Sequence, residues 1–321
     1  MKILGLQKLS LIDYPGKAAA TLFLFGCNFR CGFCHNPELV VGFEGAHPPL
    51  PLCDLADNDN PNLQFAIDEE AIKSAHPNLA HSVRSSHPLR VLADNDKQLS
   101  DEESANQNDK ALLNSYSIKI SEPEARQNEQ SSLREYSEDE ILDFLEKRRK
   151  YLDGVCVTGG EPLMSVEKDF LRKIKDLGYK IKIDTNGSFP EKLRNFIDKG
   201  LVDFVSMDVK VGRERYSEVA GVDVDLEKIE ESVRLVASLP NHEFRTTVVK
   251  KFHDVHEMKA LVSWIGGIVG GKIKKFVLQG FRAREKMLDE SFKQEEDVDE
   301  EYLEGLKKVC EGFVGEVLVR V

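Results

Sequence analysis

No stretch of this chain reaches the ~18 consecutive apolar residues that a membrane-crossing helix requires. Basic residues are also short: 44 Lys and Arg stand against 56 Asp and Glu, a net charge of −12. Phosphate contacts need clustered positive charge, so nucleic acid is not an expected partner, and neither is a membrane. Residues 1–17 contain no uninterrupted apolar core and no small-residue cleavage site, so no secretory leader is expected and the expected compartment is the cytoplasm. A disulfide framework is missing too. Of six cysteines, Cys27, Cys31 and Cys34 crowd into eight residues, while Cys53, Cys156 and Cys310 are scattered. A tight triplet in a reduced compartment reads as a metal or cluster site. What is present, 41% hydrophobic and 31% charged residues in a length of 321, suffices for one large domain or two ordinary ones.

Composition divides the chain. Residues 46–135 hold 16 acidic and 8 basic residues, a net of −8, and only two aromatics, Phe65 and Tyr116. Such a segment buries too little apolar surface to offset its ordering entropy. It is expected to be a mostly disordered, low-complexity insertion, with a weak internal echo between Leu55–Asn60 and Leu92–Lys97. The folded domain is then discontinuous, 1–45 joined to 136–321.

Outside the insertion, strand and helix patterns alternate. Thr21–Phe25 is a short apolar run closed by Gly26. Ser137-Glu-Asp-Glu140 is a capping-box pattern that starts a helix running to about Tyr151. Strands are expected at 154–158, 180–184, 203–207, 244–249 and 275–278, with helices at 168–177, 191–199, 226–239, 255–265 and 299–310. With the run at 21–25 this makes six βα units, an α/β fold of the partial, open (β/α)6 barrel kind, whose chemistry belongs at the C-terminal strand ends.

Unusual residues sit at those ends. The first strand closes into Cys27-x3-Cys31-x2-Cys34. Three thiolates on a tight loop can hold three irons of a 4Fe–4S cluster and leave the fourth open to a ligand. Structural zinc, with His35 as a fourth ligand, is the alternative, although such sites usually take two ligand pairs separated by a longer loop. The strand at 154–158 ends in Thr158-Gly-Gly-Glu-Pro162, where consecutive glycines let a ligand approach the backbone. The next two strands end in Asp184-Thr-Asn-Gly187 and Asp208-Val-Lys210. Taken singly, Asp184 and Asp208 read as turn caps and Lys210 as a solvated charge. Cys156 reads as a small core residue, His35 as a loop-orienting residue, and His253 and His256 as helix-terminus residues; Cys53 has no expected catalytic role.

Together these words resemble the radical S-adenosylmethionine superfamily. Leu11–Gly16, Phe25–Cys31 and Cys34–Val40 are similar to the anaerobic ribonucleoside-triphosphate reductase activating proteins, a branch of the glycyl-radical-enzyme activases. The resemblance covers roughly 1–43 and 136–321. It implies reductive cleavage of S-adenosylmethionine at a 4Fe–4S cluster, followed by hydrogen abstraction from a glycine Cα of a glycyl radical enzyme. It implies cluster ligands Cys27, Cys31 and Cys34, and cofactor contacts from Gly159, Gly160, Glu161, Asp184, Lys210 and Arg245. Asp184, Thr185 and Asp208 match positions that hold a monovalent cation, although Ser206 stands where the family has methionine. Gln279-Gly-Phe-Arg282 departs from a family histidine. The implied reductant is of flavodoxin or ferredoxin type. Two alternatives stay open: a radical enzyme acting on a small molecule or peptide, and a non-catalytic iron–sulfur or zinc protein, to which the Asp184 and Lys210 set would be of no use.

Overall fold

The computed structural model describes residues 1–40 and 134–321; all but the last two residues of the expected insertion lie outside them. Eight strands form one sheet in chain order: β1 (Ile3–Ser10), β2 (Ala19–Leu24), β3 (Gly154–Gly159), β4 (Lys180–Thr185), β5 (Phe204–Asp208), β6 (His242–Val248), β7 (Ile273–Gly280) and β8 (Val314–Arg320). β1 runs antiparallel to β2, and every other neighbour pair is parallel. The six expected strands are all present, with one more at either edge. The sheet stays open between β1 and β8, as a partial barrel does.

Among the described residues seven helices accompany the strands: α1 (Glu138–Arg148), α2 (Lys168–Asp176), α3 (Pro190–Asp198), α4 (Tyr216–Ala220), α5 (Leu226–Ala237), α6 (Val255–Val269) and α7 (Glu300–Cys310). Helix α6 outruns its expected end at Ile265: it continues through Gly266 and Gly267 and stops at Gly270, whose φ of 70° closes it. Among the described residues no helix is long and apolar enough to cross a membrane. The capping box before α1 forms as the sequence predicts. Ser137 Oγ accepts from the Glu140 N–H at 3.1 Å, and Glu140 Oε2 accepts from the Ser137 N–H at 2.8 Å. Ser137→Ala is expected to lower stability by about 1 kcal/mol, visible as a shifted urea midpoint with an unchanged slope.

The two faces of the sheet differ in chemistry. Leu22, Val155, Val157, Ile181, Ile183, Val205, Met207, Phe244, Phe276 and Leu278 are all fully buried in the core shared with the helices. The alternate residues face inward and are polar: Thr21, Cys156 and Lys182 stand in register across β2, β3 and β4, as do Asp184, Ser206 and Glu243 across β4, β5 and β6. Parallel strands usually read as continuous apolar runs because both faces are covered by helices. Here one face carries a site, which is why Lys180-Ile-Lys-Ile-Asp184 alternates. The loop before β2 closes the N-terminal end of this inner face: Asp13 Oδ2 accepts from Thr21 Oγ1 at 2.7 Å, and the buried Tyr14 ring packs 5.8 Å from Phe204.

Candidate active site

At the opposite end of the inner face lies a cavity of about 190 Å³, open to solvent. Its walls include Cys27, Cys31 and Cys34 together with Gly159, Gly160, Asp184, Thr185, Asp208, Lys210 and Arg245. Residues from five separate stretches of sequence thus meet at one place, at the C-terminal strand ends where the fold puts chemistry.

The cysteine loop is pinned from three sides. The Glu161 N–H donates to the Gly26 carbonyl at 2.7 Å, Asn186 Nδ2 donates to Asn28 Oδ1 at 2.9 Å, and the Arg30 N–H donates to the Ala220 carbonyl at 2.7 Å. Phe33 wedges among Phe252 and Phe292, each about 6.0 Å away by ring centroid. Burial pushes the Cys27 thiol up to about 12 and the Cys31 thiol up to about 11, and raises Cys34 as well. Free thiols in this loop therefore stay protonated, and a bound metal is what would make thiolates of them. Among the described residues, no three His, Cys, Asp or Glu side chains converge on a point that would hold a single ion. Three thiols on one tight loop at the cavity wall match the three ligands of a cubane whose fourth iron stays open.

The Gly-Gly turn has a steric cause. A Cβ on Gly160 would stand 2.1 Å from the Gly26 carbonyl oxygen, and Gly159 has a φ of 122°. The Gly160 N–H donates to the Leu24 carbonyl at 3.0 Å. The N–H groups of Gly160 and Glu161 are thus both engaged within the protein. Glu161 is fully buried and stands behind the wall. Its carboxylate accepts from the Leu163 N–H (3.0 Å), Thr185 Oγ1 (2.9 Å) and the Asn186 N–H (2.6 Å), so it ties the ends of β3 and β4 together. Burial nevertheless pushes its carboxyl up to about 7 against these three donors. The Thr185 hydroxyl is committed to that buttress and also accepts from the Gly187 N–H at 3.0 Å.

The charged residues form an alternating ladder across β4, β5 and β6. The Lys182 ammonium bonds Asp184 Oδ1, Arg245 Nη1 lies 3.0 Å from Asp184 Oδ2, Arg245 Nε bonds Asp208 Oδ1, and Lys210 Nζ lies 3.1 Å from Asp208 Oδ2. Burial opposes the charged form of every member. The Arg245 guanidinium, aided by Lys182 at Asp184 and by Lys210 at Asp208, holds both carboxyls below the usual carboxylate range despite that burial. Three cations against two carboxylates leave one positive charge over. Where the resemblance places a monovalent cation between Asp184 and Asp208, the structure places the Arg245 guanidinium.

Two residues of the site carried no sequence signal: Thr247 lines the cavity and the buried Lys182 lies behind it, while Asn186 and Gln279, from words marked at strand ends, line it too. His35 also lines it, stacked on Phe281 at 5.7 Å. His253 was expected at a helix terminus; it is fully buried just ahead of the Asp254 cap of α6, and its Nε2 lies 2.7 Å from the Lys210 carbonyl. Its Nδ1 accepts from the Val249 N–H at 3.1 Å, so Nε2 carries the proton and the neutral ring fixes the loop after β5. Cys156 is buried as expected, on the inner face, 3.7 Å from both Lys182 Nζ and Asp184 Oδ1.

Residues 116–265 match the family model described as the Radical SAM superfamily. The matched span, 150 of the 321 residues, is similar to a radical SAM domain. The cysteine loop lies ahead of the matched span, which begins inside the expected insertion. A protein of Methanocaldococcus jannaschii, named as a candidate glycyl-radical enzyme activating enzyme, is 23% identical over 98% of this chain and 94% of its own length. A 7-carboxy-7-deazaguanine synthase of Thermoplasma acidophilum is 42% identical over 17% of this chain and 26% of its own length. Among solved structures, a domain of pyruvate-formate lyase-activating enzyme from Bacteroides vulgatus aligns with a TM-score of 0.42 and 16% identity, over 52% of this chain and 99% of that one. A radical SAM domain implies a 4Fe–4S cluster and S-adenosylmethionine.

Proposed function

We propose that this radical SAM chain activates a glycyl radical enzyme, most specifically an anaerobic ribonucleoside-triphosphate reductase, with a flavodoxin- or ferredoxin-type protein as reductant. The carrying observation is that the three thiols, the Gly-Gly turn and the charge ladder line one cavity. Cys27, Cys31 and Cys34 would hold the cluster, which when bound would supply the electron for reductive cleavage of S-adenosylmethionine and so drive hydrogen abstraction at the partner's glycine Cα. The surplus positive charge of the ladder receives the methionyl carboxylate at Lys210, and the carbonyls of Gly159 and Gly160 with Asp184 receive the amine. Arg245 serves as the counter-ion between Asp184 and Asp208, where an external monovalent cation would have to share its carboxylates. Segments 1–45 and 136–321 act as one catalytic unit, a reading supported by the pairing of β2 with β3 and by the Tyr136 N–H donating to the Ile3 carbonyl at 2.8 Å.

The test is cofactor affinity. A hydrogen bond to a charged group contributes roughly 1.5–3 kcal/mol, so Lys210→Ala and Asp184→Ala are each expected to weaken S-adenosylmethionine binding by about 10- to 150-fold in anaerobic calorimetry. Iron content should hold, since neither residue ligates the cluster in this reading. Wild-type affinity in both variants would return Asp184 to a turn cap and Lys210 to a strand-end charge. A second reading, a radical enzyme working on a small heterocycle, is favoured by the short match to the deazaguanine synthase. Transfer of the radical to a glycine of a partner protein, seen by electron paramagnetic resonance, separates the two.

A further inference from the structure

We infer that Lys182 is a positioning residue that aims the Asp184 carboxylate into the cavity, a role resting on the reading of Asp184 as a cofactor contact. The side chain of Lys182 is 1% exposed and lies behind the cavity wall, so it cannot touch a ligand there. Its ammonium bonds Asp184 Oδ1 and lies 3.7 Å from Cys156 Sγ. A buried ammonium is expensive, and an aliphatic side chain of similar length would fill the same space at lower cost. The cation makes a two-sided clamp. Asp184 Oδ1 is held from behind by Lys182 and Oδ2 from the side by Arg245, so the carboxylate plane is fixed before any ligand arrives.

The surroundings give Lys182 no comparable second function. Asp13, on the loop that closes the far end, is engaged by Thr21. Cys156, across on β3, is a thiol kept protonated by its burial and by the Asp184 charge. Ser206, across β5, donates to Glu243 Oε1 at 2.8 Å. Asp184 is the carboxylate that Lys182 serves, and it is the ladder member whose partner comes from beneath the cavity floor.

The experiment is a double-mutant cycle on the anaerobically reconstituted holoenzyme. The S-adenosylmethionine dissociation constant is read per iron-loaded chain, beside the melting midpoint. Lys182→Met is expected to weaken binding at least tenfold with the iron content kept. Lys182→Met in an Asp184→Asn background is expected to weaken it no further than Asp184→Asn alone. A structural role alone would lower the midpoint and leave the affinity per loaded chain unchanged, and that result overturns the inference. So does a double variant weaker than Asp184→Asn, because the loss would then not pass through Asp184. If Lys182→Met does not fold, the double variant, whose ladder carries one surplus positive charge as the wild type does, is compared with Asp184→Asn, and weaker binding in it overturns the inference. Wild-type affinity in Asp184→Asn would instead overturn the cofactor-contact reading on which the inference stands.

Discussion

Cys31→Ala, reconstituted without oxygen, is expected to fall from about four irons per chain to less than one and to lose cleavage of S-adenosylmethionine altogether. Of the three loop cysteines it is the most buried, 9% exposed, in the core cluster that also holds Phe29 and Phe33. Its removal leaves two thiols, too few to retain a cubane whose fourth iron must stay open to the cofactor. The fold should survive, because alanine keeps the apolar contact and the loop remains pinned through Gly26, Asn28 and Arg30. Far-ultraviolet circular dichroism and iron analysis on the same sample check both halves. Cys156→Ala is the control: its sulfur lies on the inner face beside Lys182, and iron content should match the wild type. Stoichiometric iron in Cys31→Ala would remove the loop from cluster binding.

Arg245→Ala should produce the largest loss of stability. Its guanidinium is the only member of the ladder that contacts both carboxylates. Without it, Asp184 and Asp208 share a largely buried site with one cation each and no group between them. Breaking a buried pair typically costs 3–5 kcal/mol; with the side chain 17% exposed, solvent screening brings the expectation to about 3 kcal/mol. For a folded part of this size that is a fall in melting midpoint of about 6–12 °C. The effect has a pH signature. Both carboxyls sit below their ordinary range in the folded chain, so the stability they contribute is present above the unfolded carboxylate pKa of about 3.9 and is lost as pH falls through the folded values. Arg245→Ala lifts those folded values, so its deficit should be largest near neutral pH and shrink in acid. A deficit that does not shrink as pH falls below about 3.9 would count against the ladder.

The parts of the molecule legible in the sequence are those where a strand has two unlike faces. Lys180-Ile-Lys-Ile-Asp184 and Asp203-Phe-Val-Ser-Met207 announce themselves because helices cover one side and the cavity the other. The two edge strands gave no such signal. β1 is half-buried and irregular in register at both Gly5 and Ser10, and β8 is half-exposed beyond Val314. Site residues were legible where a strand ended in a glycine turn or a cysteine loop, since the motif marks the position. Lys182 had no such mark. In sequence it matches Lys180 two places earlier, which is 54% exposed and pairs with Asp203 at 3.0 Å; only the direction of the strand separates a solvated lysine from a buried one. The Thr185 hydroxyl shows the reverse case: the residue sits at the cavity wall, but its hydroxyl is bonded to the buried Glu161.

The chain-order sheet sets an order of assembly. From β3 onward the inner-face contacts join near neighbours: Lys182 reaches Cys156 across 26 positions, and Ser206 reaches Glu243 across 37. The β1–β2 hairpin reaches the rest only across the insertion, as in the bond from Ala18 to Asp153, 135 positions apart. Closing a span of 135 rather than 26 costs about 1.5 kcal/mol more in chain entropy. Short-range pairings therefore form first, and the hairpin arrives late, carrying the cysteine loop with it. The cysteine loop is thus expected to be the last piece to meet its site, and a refolding chain should show its charge ladder built before it can retain metal.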